Sequence, residues 1–460
     1  MSTAFQVSSL NLSISSRELF KSIAHLPWSM LLDSGSSNHI DAHHDIIVFD
    51  PAMTLVSDDE LTTIVDTKTH QTKTSQCNPF DVLADELAKF DFCTHRSNLP
   101  FTGGALGLFG YDLGRHCELI ASQAIKDIDL PVMAVGIYEH AIVFDKQANT
   151  IQVISQTDSQ KHNAFLQRVI THHQKHNNVT AFKSRGPWHH QTSRNEYTHR
   201  FNQVQEHLRA GDCYQINLTQ RFSIAKTGDE YDAYQALAAA NETPFSAFIR
   251  LEDYAILSLS PERFLQTKGQ TIETKPIKGT MPRSKDPVED QSLRNALKSS
   301  EKDQSENLMI VDLLRNDIGR SAVPGTVKVP KLFDIESFEN VHHLVSTITA
   351  QLPDDVSPLK LLRDAFPGGS ITGAPKISAM NIIDKLEPAR RSIYCGSIGY
   401  ISANGNMDTS ITIRTLLSTK DTMYCWAGGG IVADSTVDAE YQECFDKLAS
   451  IMPVICNELS

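Results

Sequence analysis

A mainly antiparallel α+β fold is what this sequence predicts, and three observations lead to it. Short runs of β-branched and aromatic residues recur along the 460-residue chain. Turn residues, rather than a regular alternation of strand and helix, separate many of them. The clear helices carry their own start and stop signals.

Taken in order, residues 1–155 read as short strands and turns, with β-rich runs at 46–49 and 132–138. Between them, Gly103-Gly-Ala-Leu-Gly-Leu-Phe-Gly110 lacks the Gly-x-Gly-x-x-Gly spacing of a dinucleotide loop and predicts a close-packed strand or turn. Residues 156–192 are polar and contain His162, His172, His173, His176, His189 and His190. No carboxylate or cysteine recurs among them at ligand spacing, so a solvated helix and a connecting loop are expected. The third region, 193–460, opens on Ser193-Arg-Asn-Glu196, a capping box in which each side chain satisfies an orphan backbone N–H. The helix it starts carries Tyr197, Phe201, Val204 and Leu208 on one face, and Gly211 ends it. Strands are expected at 245–251, 255–259 and 271–277, and a helix at 303–316. Asn404-Gly405 between runs at 396–402 and 410–417 predicts a hairpin. A strand at 423–426 then leads into a Gly428-Gly-Gly430 loop, and a helix covers 439–456.

Composition narrows the function. Forty-two Lys and Arg against fifty-five Asp and Glu give a net charge of −13, without the basic footprint of a nucleic-acid binder. The eight cysteines show neither Cys-x-x-Cys nor metal-ligand spacing and read as reduced side chains of a cytoplasmic protein. No apolar run is long enough to span a membrane. The opening Met-Ser-Thr-Ala-Phe-Gln-Val lacks a basic segment followed by an apolar one, so no export signal is expected.

The chemistry concentrates in a series of motifs. Ser260-Pro-Glu-Arg-Phe264 is followed by Glu273-Thr-Lys-Pro-Ile-Lys278-Gly-Thr280, which places Lys278 sixteen residues after Glu262. Further on come Glu306-Asn-Leu-Met-Ile-Val-Asp-Leu-Leu-Arg-Asn-Asp317, Val341-His-His-Leu-Val-Ser346 and Phe366-Pro-Gly-Gly-Ser-Ile-Thr-Gly-Ala-Pro-Lys376. Ile411-Thr-Ile-Arg414, Gly428-Gly-Gly430 and Glu440-Tyr-Gln-Glu443 close the set. Together and in this order they closely resemble the chorismate-utilising family that includes anthranilate synthase and aminodeoxychorismate synthase large subunits. The resemblance covers nearly the whole chain and is densest from Ser193 onward.

What the resemblance implies can be stated residue by residue. The fold would be two large, mainly antiparallel sheets in a sandwich, with helices outside and the active site in the cleft. Glu306 and Glu443 would be Mg²⁺ ligands, a role suited to a hard cation that takes one or two carboxylates and completes its shell with water and substrate. Glu440 shares a helix face with Glu443 and is a third metal candidate, with a solvated surface acid as the alternative. Arg414 with Gly428, Gly429 and Gly430 would hold the enolpyruvyl carboxylate of chorismate through a guanidinium fork and backbone N–H groups. Gly279, Thr280 and Tyr394 match substrate contacts, although Tyr394 also suits a buried aromatic at a strand start.

Lys278 implies a branch within the family, because most anthranilate synthases carry alanine there. A lysine implies covalent attack on C2 of the chorismate ring. The 4-hydroxyl leaves with Glu262 as general acid, and ammonia adds at C4 to give 4-amino-4-deoxychorismate, a precursor of p-aminobenzoate and folate. His343 matches a histidine near the leaving hydroxyl; a packed structural histidine is the alternative. A free lysine is neutral only about once in 2,500 at pH 7, a deficit of roughly 4–5 kcal/mol. The site must therefore lower its pKa, or Glu262 must act as the proton acceptor that frees it. Gln215 stands where isochorismate-forming relatives carry a lysine that activates water, so isochorismate formation is not expected.

None of the cysteines sits in the Gly-x-Cys-x-Gly turn of a glutaminase, so ammonia is expected from a separate glutamine amidotransferase subunit or from solution. No fused pyruvate-eliminating domain is visible. The segment Pro27–Gly35 and Pro244-Phe245-Ser246 resemble the family's tryptophan pocket, which makes Ser34, Pro244, Phe245 and Ser246 the expected contacts of bound L-tryptophan. Asp41-Ala-His-His44 follows where the nearest relatives favour a tyrosine and an arginine, so an occupied and an unoccupied pocket both stay open. An anthranilate-forming subunit and a non-catalytic ligand-binding relative are the alternative functions.

Overall fold

The computed structural model describes residues 5–35, 39–94, 98–174, 180–338 and 341–456. Its frame is two 12-stranded sheets whose ladders are all antiparallel among the described residues, as the expected α+β class requires. Both sheets draw on both halves of the chain. In the first, Met30–Asp33 pairs with Phe245–Arg250; in the second, Gly104–Phe109 pairs with Ser397–Ser402. The glycine-rich segment is thus a fully buried central strand.

The first sheet is covered on both faces, which explains why its strands are apolar runs without clean alternation. Along Phe245–Arg250, Ala247 and Ile249 point into the core shared with the second sheet. Phe248, between them, points the other way, into a second core under the outer helices. A period-2 strand that buries both sets of side chains has no polar face to display. The helix Arg194–Ala210 belongs to that outer layer. Its capping box is formed, and Gly211 ends it in the left-handed conformation at φ +81°.

Several elements differ from expectation. Residues 156–192 contain the helix Ser159–Gln174, but the expected loop beyond it is the strand Lys183–His190, which covers the edge of Gln215–Thr227. This strand is largely exposed and so leaves no hydrophobic signature. His162 is buried, linked to Ser8 and Ser155, and Ser155 in turn to His140. His176 lies outside the described residues.

The run 271–277 is divided by Lys275-Pro276 into Thr271–Thr274 and Ile277–Pro282, because proline has no N–H for the ladder. The run 410–417 spans two strands in different sheets. Met407–Ile411 lies in the second sheet and Thr415–Ser418 in the first, with Arg414 at φ +50° on the crossing between them. The expected loop at Gly428–Gly430 is part of the strand Thr422–Ile431, where Gly430 pairs with Asn217. The closing helix is two, Val437–Asp446 and Met452–Cys456.

Candidate active site

The site is built on the strand pair Ile277–Pro282 and Val341–Gln351. Lys278 lies opposite Leu344 and Thr280 opposite His343, so one extra residue, Gly279, is accommodated between them. This bulge needs glycine. Gly279 sits at φ +77°, and a Cβ there would lie 2.9 Å from both the Asp303 carboxylate and the Leu297 side chain. Bulges re-aim side chains; here Lys278 comes under the influence of Glu306, Lys447, Glu262 and Glu443, while Thr280 reaches His343 on the paired strand.

Glu262 is buried just before the strand Arg263–Lys268. Burial pushes its carboxyl up to about 7, against a hydrogen bond from Ser370 and the proximity of Lys278. Lys278 shifts the opposite way. Burial holds its amine below the ordinary lysine range, with help from Lys447, although Glu306, Glu262 and Glu443 pull it back up. Both shifts favour the uncharged forms. Two neighbouring groups are thereby biased towards a free amine and a protonated acid.

His343 is buried and shares a 2.8 Å hydrogen bond between Nδ1 and Thr280 Oγ1. Burial and the charge of Arg414 press its pKa down to about 3, so the ring is neutral at physiological pH. Arg414 has no carboxylate partner among the described residues, and burial alone lowers its pKa. A desolvated guanidinium without a counterion calls for an anionic ligand.

Three carboxylates face this region. Glu306, on the helix Glu301–Gly319, is raised by burial and by its acidic neighbours, with Lys302 3.9 Å away. Glu440 and Glu443 lie on Val437–Asp446. Glu440 is only 4% exposed, which excludes a solvated surface acid. One of its oxygens accepts from Ser435 at 2.7 Å; the other, Oε2, is buried without a partner. Glu443 pairs with Lys447 at 2.6 Å, and Lys447 also donates to the Gly428 carbonyl at 2.7 Å. An orphaned carboxylate oxygen beside two further acids fits an oxygen-loving divalent cation such as Mg²⁺. The ligand atoms of His39, Asp41 and Glu336 are gathered more closely, but Lys275 and Arg263 already neutralise that group.

Of the three glycines, Gly428 is held by backbone, since a Cβ there would lie 2.3 Å from the Leu218 carbonyl oxygen, while the other two are closely covered by side chains. A Cβ at Gly429 would come within 2.5 Å of Glu440 Oε2, and one at Gly430 would overlap the Gln215 amide. Tyr394 is a packed aromatic, its ring stacked on Trp426 at 6.1 Å. The tertiary arrangement adds Lys447, Ser370 and Asp303, which sequence reasoning missed. Lys447 had a readable signal, since it lies one turn after Glu443. Ser370 and Asp303 gave none, because their relevance depends on packing.

Ser34, Pro244, Phe245 and Ser246 line one cavity of about 420 Å³, away from Lys278. Asp41 on its wall is bound to Arg263 at 2.8 Å and Lys275 at 2.9 Å. These cations outweigh burial and hold its carboxyl down to about 2.

The paired sheets, the half-buried Lys278 and Arg414 and the acids around them point to one class of protein. The chain belongs to the chorismate binding enzymes, whose family model matches residues 30–453. Within that class it is 52% identical over 434 residues to aminodeoxychorismate synthase component 1 of Escherichia coli, covering 94% of each chain. It is also 52% identical over 441 residues to aminodeoxychorismate synthase component 1 of Salmonella typhimurium, covering 95% of each. Among solved structures, anthranilate synthase component I of Streptococcus pneumoniae superposes with a TM-score of 0.80 at 31% identity, over 90% of this chain and 93% of the other.

The orphaned Glu440 has a measurable consequence. Its pKa is raised in the fold, chiefly by burial, so its contribution is best when it is protonated and is lost as pH rises from the unfolded carboxylate range through the folded value. Glu440→Gln, which keeps the shape without the charge, should raise the thermal midpoint of the metal-free protein, and by more at pH 8 than at pH 5. Equal midpoint differences at the two pH values would contradict this account.

Proposed function

We infer that this chain synthesises 4-amino-4-deoxychorismate from chorismate and ammonia through a covalent adduct on Lys278. The observation that carries the reading is the opposed shift of two neighbours, the half-buried Lys278 downward and the buried Glu262 upward. A nucleophile must be unprotonated and a general acid protonated, and here burial favours both states.

In this mechanism Arg414 and the backbone of Gly428–Gly430 bind the enolpyruvyl carboxylate, and Thr280 and His343 lie beside the ring. Glu306 and Glu443, with Glu440 nearby, would hold Mg²⁺, whose Lewis acidity would engage the ring carboxylate. The Lys278 amine forms a bond to C2, the ring double bonds shift, and the C4–O bond breaks. Glu262 delivers a proton to the departing oxygen, which leaves as water. The proton that Lys278 sheds on attack restores Glu262; ammonia then bonds to C4, the double bonds shift back, and the C2–N bond breaks, the proton shed by the new C4 nitrogen passing to the departing Lys278 nitrogen. Neutral His343 can orient the leaving hydroxyl by hydrogen bonding without adding charge.

A glutamine amidotransferase subunit would supply the ammonia, in keeping with the "component 1" in the relatives' names. The cavity at Ser34 and Pro244–Ser246 would hold L-tryptophan, its polar and aromatic lining suiting an amphipathic aromatic ligand.

The primary test is the product made from chorismate, ammonium and Mg²⁺. Aminodeoxychorismate is expected; anthranilate as the main product would make Lys278 a bystander. Lys278→Ala should abolish the chorismate adduct seen by intact-protein mass spectrometry while retaining Mg²⁺-dependent chorismate binding.

Adduct formation without ammonia, which removes ammonia's own titration, should slow above about pH 7 as Glu262 loses its proton. Glu262→Gln should slow it by about 10²–10⁴-fold and remove that limb. A Glu262-dependent limb on the acidic side instead would identify Glu262 as the base.

L-Tryptophan added to protein refolded without it should raise the thermal midpoint, and Ser246→Trp, which fills the cavity, should remove the increase. No increase in the parent protein would reject this ligand.

A further inference from the structure

We propose that Asn307 is a positioning residue for the metal site, fixing the rotation of the Glu301–Gly319 helix so that Glu306 faces Lys278; the inference rests on the reading of Glu306 as a metal ligand. The helix is anchored unequally along its length. Its later turns bury Ile310, Val311, Leu314 and Ile318, which pack into the core between the sheets. Before Ile310, Asn307 is the one residue that this helix buries, and it is fully inaccessible. The turn that presents Glu306 is therefore held by a buried amide, with only the half-buried Met309 adding apolar contact before Ile310.

The partner of that amide is equally specific. Ser346, also fully buried, lies on Val341–Gln351 two positions from Leu344, the residue opposite Lys278. Its hydroxyl accepts from the Phe333 N–H at 3.1 Å and donates to Asn307 Oδ1 at 2.5 Å. Its N–H donates to the Pro276 carbonyl at 3.3 Å, at the entry to the Lys278 strand. One serine thus ties together the helix that carries Glu306, the strand Lys328–Ser337 and the strand that carries Lys278.

Physical chemistry gives the pair its purpose. Apolar packing sets a distance but tolerates rotation, whereas a hydrogen bond is directional. A helix turns by about 100° per residue, so a slip of one position would carry Glu306 off the site. Asn307 Nδ2 is buried without a partner, a cost that an apolar residue would avoid. A buried polar group whose cost is uncompensated is accounted for by geometric specificity rather than stability, as with polar residues that set helix register.

The test measures Mg²⁺ affinity by calorimetry and, separately, thermal midpoint, on the full chain without chorismate. Asn307→Leu, close in size, is expected to leave the midpoint unchanged or higher while weakening Mg²⁺ by about 10–100-fold, the range for residues that orient a metal ligand. Ser346→Ala should weaken Mg²⁺ similarly, the double variant should be no weaker than either single one, and Ser346→Thr, which keeps the hydroxyl, should retain affinity. Unchanged affinity in folded Ser346→Ala or Asn307→Leu overturns the proposal, as do losses that multiply in the double variant. Should Asn307→Leu fail to fold, the two Ser346 variants decide the matter. A parent protein that binds no Mg²⁺ overturns the metal reading and this inference with it, whereas tight binding by the parent and unchanged variants overturns this inference alone.

Discussion

Desolvation of charge governs this molecule. Lys278, Glu262, Glu306, Glu440 and Arg414 are drawn towards or into the protein interior, and burial is the largest influence on each of their pKa values. In water the same groups would be an ammonium, three carboxylates and a guanidinium with no notable reactivity. Withdrawn from it, Lys278 and Glu262 are pressed towards neutrality, and Arg414 is left in want of an anion. Such an arrangement costs stability, and the surrounding architecture must supply it.

The two sheets do so by being mutually dependent. The first is sandwiched between the second sheet and an outer layer of helices, and its central strands bury both faces. Each sheet joins one block of strands from the first third of the chain to one block from the remainder, and the two blocks meet at a single ladder, Met30–Asp33 with Phe245–Arg250 in the first sheet and Gly104–Phe109 with Ser397–Ser402 in the second. The Lys278 strand and the strand bearing Gly428–Gly430 lie in different sheets, so these two segments come together only when both sheets are assembled. The crossing at Arg414 passes from one sheet to the other at that convergence. Its positive φ is local strain of the kind that a rigid surround can sustain at a functional position.

The second cavity follows a different electrostatic rule. Around Ser34 and Phe245 the acids are already matched: Asp33 with Arg17, and Asp41 with Arg263 and Lys275. Its acids are paired internally, whereas Arg414 has no carboxylate partner and Glu440 Oε2 no hydrogen bond among the described residues.

Much of this was legible in the sequence. Hairpin turns and short β-rich runs carried the antiparallel α+β class. The capping box at Ser193 and the stop at Gly211 located a helix to the residue, because caps are local chemistry. The ordered motifs carried the family, and they singled out Lys278, Glu262, Glu306 and Glu443, whose charges the fold brings within reach of one another. Other features could not be read. Lys183–His190 forms a strand because an edge was available, with no hydrophobic pattern of its own. Gly428–Gly430 looked like a loop because glycine signals backbone freedom, yet here the three lie close under the Leu218 carbonyl and the side chains of Glu440 and Gln215, from elsewhere in the chain. A residue's type and its near neighbours determine capping, turn formation and the chemistry it can offer. Whether Lys278 is an amine, Glu440 an orphan or Asn307 an anchor was decided only by tertiary structure, because each depends on how much water and which distant groups the fold leaves around it.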